Sequence, residues 1–433
     1  MTLTMMGIVG IIVLIILLFM GMNVGFCMLA VGFVGFTAAV NMPAAIGLLK
    51  TIPFNTAANF NLSVIPLFVL MGQFCFHSGV STGLYETCYK WLSRLNGGLS
   101  VATIGASSLF AAICGSSTAT AATMGTVCMP EMKKYGYNDT LSTGCLAAGG
   151  TLGILIPPSV GFILYGIATG NSIGALFAAG LVPGILLTAF YVITILIICK
   201  IDPSKGPKGE KFSWLEKFNS LKGVFAIALL FVIVIGGIFA GFFTANEGAA
   251  IGSFGAFLFM LFRGKVNRKT LKAALYGTIK TSAMIFLIII GAYVFGYFLT
   301  ITKLPMSIAS GVAAMDVSPY IVLILVLVVY MAMGTIMDSL AMLLLLVPIF
   351  YPLIMDLGMD PIWFGVLMVM VMETGQITPP AGINVFVISG IAKGVPMQTI
   401  YKGVAPFLLA LVLAIAVIIM IPQIALWLPS VLY

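Results

Sequence analysis

The 433-residue chain is 61% hydrophobic and only 7% charged, with a mean hydropathy of +1.20. That leaves too little polar surface to cover a water-soluble fold, so the solvent must be a phospholipid bilayer. The net charge of +8 is divided among loops between apolar runs, which is a topology signal and not a nucleic-acid-binding stripe.

In chain order, apolar runs at Ile8–Phe19, Val24–Val40 and Ser63–Phe76 predict the first membrane helices. Met1–Met20 lacks a basic n-region and a small-residue cleavage site, so it reads as a helix and not as a removable signal peptide. His77, the only histidine, falls at a helix end, which argues against a histidine relay or a Ser-His-Asp triad. Between Ser81 and Leu95, Leu84, Cys88, Trp91, Leu92 and Leu95 share one helical face and Glu86, Lys90 and Arg94 another. This predicts a helix lying flat at the interface, either a brace between a moving and a fixed part or a passive surface helix. Leu99–Cys114 covers roughly 24 Å at 1.5 Å per residue, too short for the roughly 30 Å core. It meets GSSTAT (Gly115–Thr120) before helical sequence resumes, which predicts a re-entrant hairpin over 98–132.

The next span, over 141–168, carries GTLGILIPPSVG (Gly150–Gly161), and tandem prolines at mid-membrane must break it. The carbonyls of Gly153 and Ile154 lose their helical donors and need protein, water or an ion instead. Ala178–Cys199 completes the first half. Asp202–Lys217, with DPSKGPKGEK, reads as a cytoplasmic linker, extended here to 202–222. Val224–Phe243 and Ala249–Phe262 follow, with Glu247 a candidate cap of the turn between them, and then Ser282–Thr300. A second short run meets GTIMDS (Gly334–Ser339), predicting a second hairpin over 317–353. ETGQITPPAGIN (Glu373–Asn384) breaks a second span over 362–391 at Gly375 and Gln376, and Ala405–Pro429 is the last apolar run.

Pro130 and Pro352, Gly136 and Gly358, Gly153 and Gly375, and the two Pro-Pro pairs all recur at one spacing, the mark of a duplication. Lys133 and Lys134 in the first copy correspond to Met355 and Asp356 in the second, so equivalent loops change from basic to acidic. The positive-inside rule then requires inverted copies, 1–201 and 223–433, with both termini on the periplasmic side. The fold class expected is an all-α polytopic membrane protein of two inverted repeats, each with membrane-spanning helices, a re-entrant hairpin and a Pro-Pro broken helix.

Re-entrant tips aim helix ends and free backbone groups at the midplane, where a positive dipole end suits a carboxylate or sulfonate and carbonyls and hydroxyls suit Na⁺. Ser116, Ser117, Thr118 and Thr120 line the first tip, and Thr335, Asp338 and Ser339 the second. Small hydroxylated residues also ease helix packing, but a carboxylate deep in a span, Asp338, points to function. Glu373 is placed nearer the membrane face. The seven scattered cysteines lack metal-ligand spacing and read as small apolar filler.

GSSTATAATMG, PEMKKYGY, LGILIPPSVGFILYG, AAGLVPG, FTANEGAA and ITPPAGINVFV, in this order across the chain, resemble the large membrane subunit of TRAP (tripartite ATP-independent periplasmic) transporters. The resemblance implies a bacterial inner-membrane carrier with an elevator mechanism, Na⁺ coupling, a small four-helix membrane partner and a periplasmic binding protein delivering an organic acid. It implies one Na⁺ site at Ser116, Ser117, Gly150, Gly153, Ile156 and Pro157, and another at Gly334, Thr335, Thr374, Gly375 and Thr378. Ser116, Ser117, Thr118, Thr120, Asp338 and Ser339 would lie closest to the substrate. The hydroxylated first tip differs from the acidic version associated with sialic-acid members and favours a small carboxylate or sulfonate. No arginine lies inside a core span, so the anion would be held by dipole ends, hydroxyls and Na⁺, or by a base on the partner subunit.

Two alternatives remain at this stage. A stand-alone carrier of the divalent-anion or gluconate type would share the repeat but need no partner. A membrane-embedded enzyme would want a histidine, paired carboxylates or a loop-borne basic cluster at one face, and Asp338 and Glu373, read as contributed by different halves, could pair.

Overall fold

The computed structural model describes residues 2–313 and 317–433; Asp316, expected as an acidic flank of the second hairpin, lies outside the described residues. The described residues form α-helices joined by short turns, with no strand among them. Eight helical segments among them are long and apolar enough to cross a membrane.

Helices α1 (Leu3–Phe19) and α2 (Val24–Ala39) coincide with the first two apolar runs. The next helix, α3 (Met42–Ala57), was not expected, because Lys50 and Pro53 interrupt its apolar character; Asn41 starts it by accepting from Ala44 N at 2.9 Å. Next come α4 (Val64–His77) and α5 (Val80–Leu92), the predicted interfacial helix. The first hairpin is α6 (Gly98–Cys114) and α7 (Ser117–Lys134), and the first broken helix is α8 (Asp139–Leu155) and α9 (Val160–Thr169). Helix α10 (Ile173–Ile201) leads into the linker expected over 202–222, which holds a 3₁₀ turn at Pro203–Lys205 and, from Trp214 on, the beginning of the next long helix.

In the second half, α11 (Trp214–Phe239), α12 (Ala245–Phe262) and α13 (Arg268–Thr302) precede a short α14 (Leu304–Ala313). Glu247 is the cap expected of it, closing a reciprocal box with Thr244. The second hairpin is α15 (Pro319–Gly334) and α16 (Ser339–Asp356), and the second broken helix is α17 (Pro361–Ile377) and α18 (Ile383–Ile391). The last apolar run is divided into α19 (Met397–Met420) and α20 (Gln423–Leu432), because Pro422 ends the continuous helix. Helices α6 to α10 and α15 to α19 recur in the same order, their starts 221 to 224 residues apart.

The hairpins open at opposite ends of the bundle. At the base of the first, Leu99 N donates to Tyr137 Oη at 3.1 Å and Tyr137 Oη donates to the linker carbonyl of Pro207 at 2.8 Å. The linker also accepts from Gly97 N at Gly206 O and from Asn138 N at Lys205 O. At the base of the second, Tyr351 accepts from Asn171 Nδ2 at 3.2 Å and Pro361 O accepts from Tyr165 at 2.6 Å. Asn171 follows α9, at the far end of the broken helix that begins beside the linker.

Outside this pair of hairpins, α2 packs along α13 at backbone distance: a methyl on Gly32 would stand 2.7 Å from Phe295 Cα. Helix α5 runs antiparallel to α11, with Thr87 donating to Ser220 O at 2.9 Å and Trp91 Nε1 to Lys217 O at 3.2 Å. Of the expected apolar face, Leu84 and Cys88 are buried, Leu92 is half-buried, and Trp91 and Leu95 are exposed.

Candidate transport site

Each hairpin turns because its second helix has its own cap. In the first, Gly115 takes a left-handed conformation (φ +62°), and Ser116 then caps α7 by accepting from Ala119 N at 3.5 Å. In the second, Asp338 caps α16 by accepting from Leu340 N at 3.2 Å. Ser116 and Asp338 are thus equivalent caps, and Ser117 and Ser339 equivalent first residues, of two helices whose N-termini face one cavity.

The cavity measures about 510 Å³. Ser116, Ser117, Thr118, Asp338 and Ser339 line it from the tips, while Gln73 of α4 and Thr281 of α13 close the opposite wall. Gln73, Thr123 and Thr281 were not picked out from the sequence, where nothing distinguishes them from other polar residues in spans. The lining holds one charged side chain, Asp338, and no lysine, arginine or histidine. Thr120 does not line the cavity; it is buried behind the tip with Oγ1 unpartnered, where a methyl on Gly153 would stand 2.7 Å from it.

The first tip and the first break meet. Gly153 lies against the Ser116 carbonyl, and a methyl on Gly150 would stand 3.2 Å from Ser117 O and 3.0 Å from Asn384 Nδ2. The Ile156 side chain packs on Gly184 of α10, and the Pro158 carbonyl, next to Pro157, approaches Gly115. The expectation that these carbonyls need protein, water or an ion in place of helical donors is met by protein at one position of each break. Ser159 Oγ donates to Ile154 O, so a neighbouring hydroxyl replaces one lost helical donor, and Thr378 N donates to Gly375 O at 3.2 Å. Gly153 and Gln376 keep carbonyls whose fourth following residue is proline.

At the second break, Gly375 rests on Gly334, and Gly382 N donates to Thr335 O at 3.4 Å. The hydroxyls of Thr335, Thr374 and Thr378 each donate to a carbonyl of their own helix turn, which leaves oxygen lone pairs to accept. Gln376 Nε2 donates to Gly334 O and Met337 O, while its Oε1 is buried without a partner.

Glu373 corrects an expectation: it is not near the membrane face. It is 1% exposed and accepts from Ser117 Oγ at 2.5 Å and from Ser339 Oγ at 3.0 Å, one oxygen to each tip. Burial on α17 one turn before the break places it between the tips, which no local sequence pattern signals. Asn384 Nδ2 adds a bond of 2.9 Å to Ser117 Oγ and leaves Oδ1 unpartnered. Asp338 and Glu373 make no catalytic pair: their oxygens are directed to a helix cap and to serines, and both residues belong to the second half.

Buried helix ends, broken spans and a mainly apolar cavity with hydroxyls and a carboxyl at its tips define a membrane carrier. The family model of the tripartite ATP-independent periplasmic transporter, DctM component, matches residues 11–424, and the chain belongs to that family of TRAP large permeases. It is 36% identical over 87% of its length to the C4-dicarboxylate TRAP transporter large permease DctM of Pseudomonas aeruginosa, covering 88% of that protein. It is 35% identical over 96% of its length to the sialic acid TRAP permease SiaM of Vibrio cholerae, covering 96% of it, and 35% identical over 88% of its length to the isethionate TRAP permease DctMQ of Oleidesulfovibrio alaskensis, covering 59% of it. Among solved structures, the YdaH transporter of Alcanivorax borkumensis shares the fold at a TM-score of 0.62 and 16% identity, over 89% of each chain. The family is one of transporter permeases, so the chain is a multi-pass transport protein and the enzyme alternative is set aside.

Proposed function

We propose that this chain imports a small organic acid, a carboxylate or sulfonate, across the bacterial inner membrane, driven by a Na⁺ gradient through elevator-type alternating access. The observation that carries this reading is the convergence of two equivalent helix N-termini on one cavity without a cationic side chain, each tip packed against its own Pro-Pro break. The dipole ends of α7 and α16 suit the anion, each equivalent to about half a positive charge. Na⁺ travels as co-substrate, and buried oxygens without partners beside each break support two places for it. Thr120 Oγ1 and Asn384 Oδ1 flank Ser116, Ser117, Gly150 and Gly153, and Gln376 Oε1 lies beside Gly334, Thr335, Thr374, Gly375 and Thr378.

Repeats 1–201 and 223–433 act as inverted halves, with linker 202–222 on the cytoplasmic side. A small four-helix membrane subunit and a periplasmic substrate-binding protein complete the system, in keeping with the tripartite family. Identities of 36% to a dicarboxylate permease and 35% to a sialic-acid permease do not separate substrates, so the preference for a small acid rests on the hydroxylated first tip. The test is uptake into proteoliposomes holding the permease and its small partner, with loaded binding protein outside. Uptake that needs both inward Na⁺ and binding protein is expected. Uptake without binding protein would make it a stand-alone carrier, and indifference to Na⁺ would remove the coupling.

A further inference from the structure

We infer that Glu373 is a yoke: a single carboxylate that fastens the two hairpin tips to one another, so that what one tip binds changes the affinity of the other. The inference rests on the carrier reading above and adds how its two halves are coupled. Ser117 and Ser339 are equivalent by the duplication, each the first residue of its tip helix. They have no hydrogen bond between them, yet their hydroxyls end on the two oxygens of the same side chain.

The yoke is not itself duplicated. The position in α8 equivalent to Glu373 holds Thr151, whose hydroxyl is turned away to Ala148 O and Tyr191 Oη. One half therefore supplies the group that serves both. Neither ion pair found among the described residues, Lys134–Glu131 and Lys205–Asp202, involves Glu373, so the carboxylate is tied to the tips by these hydroxyls alone. A buried carboxylate bonded to both tips resists separating them, because releasing either hydroxyl leaves a desolvated oxygen unpaired. Ser117 O also faces Gly150, and Ser339 follows Asp338 at the cavity, so shifts of either serine are felt where ion and substrate would bind. Glu373 acts through the serines as a positioning residue.

The test is a mutant cycle on Ser117→Ala and Ser339→Ala in the reconstituted full transporter, read as the Na⁺ half-saturation of uptake. Each single change is expected to raise half-saturation about tenfold, the cost of leaving a buried oxygen without its hydrogen bond. The double variant is also expected to raise it about tenfold, since once one tip is released the carboxylate no longer joins them. A double variant near the hundredfold product would overturn the yoke. Glu373→Gln keeps the length and a polar group for each serine and should retain the coupling between the serines. Glu373→Asp, one methylene shorter, should lose it. The reverse order would mean that charge and not bridging matters, and would also overturn the proposal. If wild-type uptake ignores Na⁺, the Na⁺ reading fails, and the same cycle read as substrate half-saturation still decides the yoke.

Discussion

Gly375 of the second broken helix lies directly on Gly334 at the second hairpin tip: a methyl added to Gly375 would stand 2.6 Å from Gly334 Cα and 2.9 Å from Met331 O. Both neighbours are backbone, so neither can swing aside. Gly375→Ala must push the tip off the break at a cost of about 1–3 kcal/mol. The expected result is a folded protein of lower thermal stability with at least a tenfold loss of Na⁺-driven uptake, measured in proteoliposomes. Wild-type uptake in this variant would show that the contact does not form the site.

At the base of the first hairpin, one hydroxyl both accepts from Leu99 N and donates to Pro207 O, joining hairpin to linker. Tyr137→Phe removes both bonds and leaves a buried helix-terminal N–H unpaired, at about 1–3 kcal/mol. The linker should loosen, and trypsin should cut at Lys205, Lys208 or Lys211 severalfold faster than in wild type. An unchanged cleavage rate would mean that the remaining linker bonds, such as Gly97 N to Gly206 O at 2.9 Å, hold it alone.

Much of this was legible locally. Hydropathy and proline chemistry are properties of short windows, and paired helices stand at Gly98–Lys134 and Pro319–Asp356 and interrupted ones at Asp139–Thr169 and Pro361–Ile391, close to the ranges expected for the hairpins and broken spans. Asp338 and the serines were visible because polar residues stand out in apolar segments. Glu373 was seen but misplaced, since its role depends on Ser117, 256 residues away in sequence. Helix α3 escaped notice because its polar and proline content masks a helix that packs against α2 and α13.

Asp338 combines two roles that substitution can separate. As the cap of α16 it stabilises a helix N-terminus, and Asn serves there nearly as well, whereas Ala costs about 0.5–2 kcal/mol. As the carboxyl side chain of the cavity lining it is the one acidic group the site presents. Asp338→Asn should therefore melt within a few degrees of wild type while uptake falls more than tenfold, and Asp338→Ala should lose both stability and uptake. Equal uptake in Asp338→Asn and wild type would reduce the residue to its cap.

The chain ends provide the test of orientation. Helix α13 starts in the basic segment at Arg268 and ends at Thr302, where Gly7 of α1 packs against it; α11 starts next to the linker at Trp214 and ends at Phe239, where Tyr433 Oη reaches Ile238 O at 3.4 Å. Both chain ends thus lie at the end of the bundle away from the basic segments, which the positive-inside rule assigns to the cytoplasm. Alkaline phosphatase fused to either terminus should be active, and a fluorescent protein that folds only in the cytoplasm should be dark at both. A cysteine placed in the linker at Ser204 should resist a membrane-impermeant thiol reagent in intact cells, while one at Ser430 reacts. Activity at one terminus only would require an even number of crossings in one half and an odd number in the other, and two inverted copies cannot supply that.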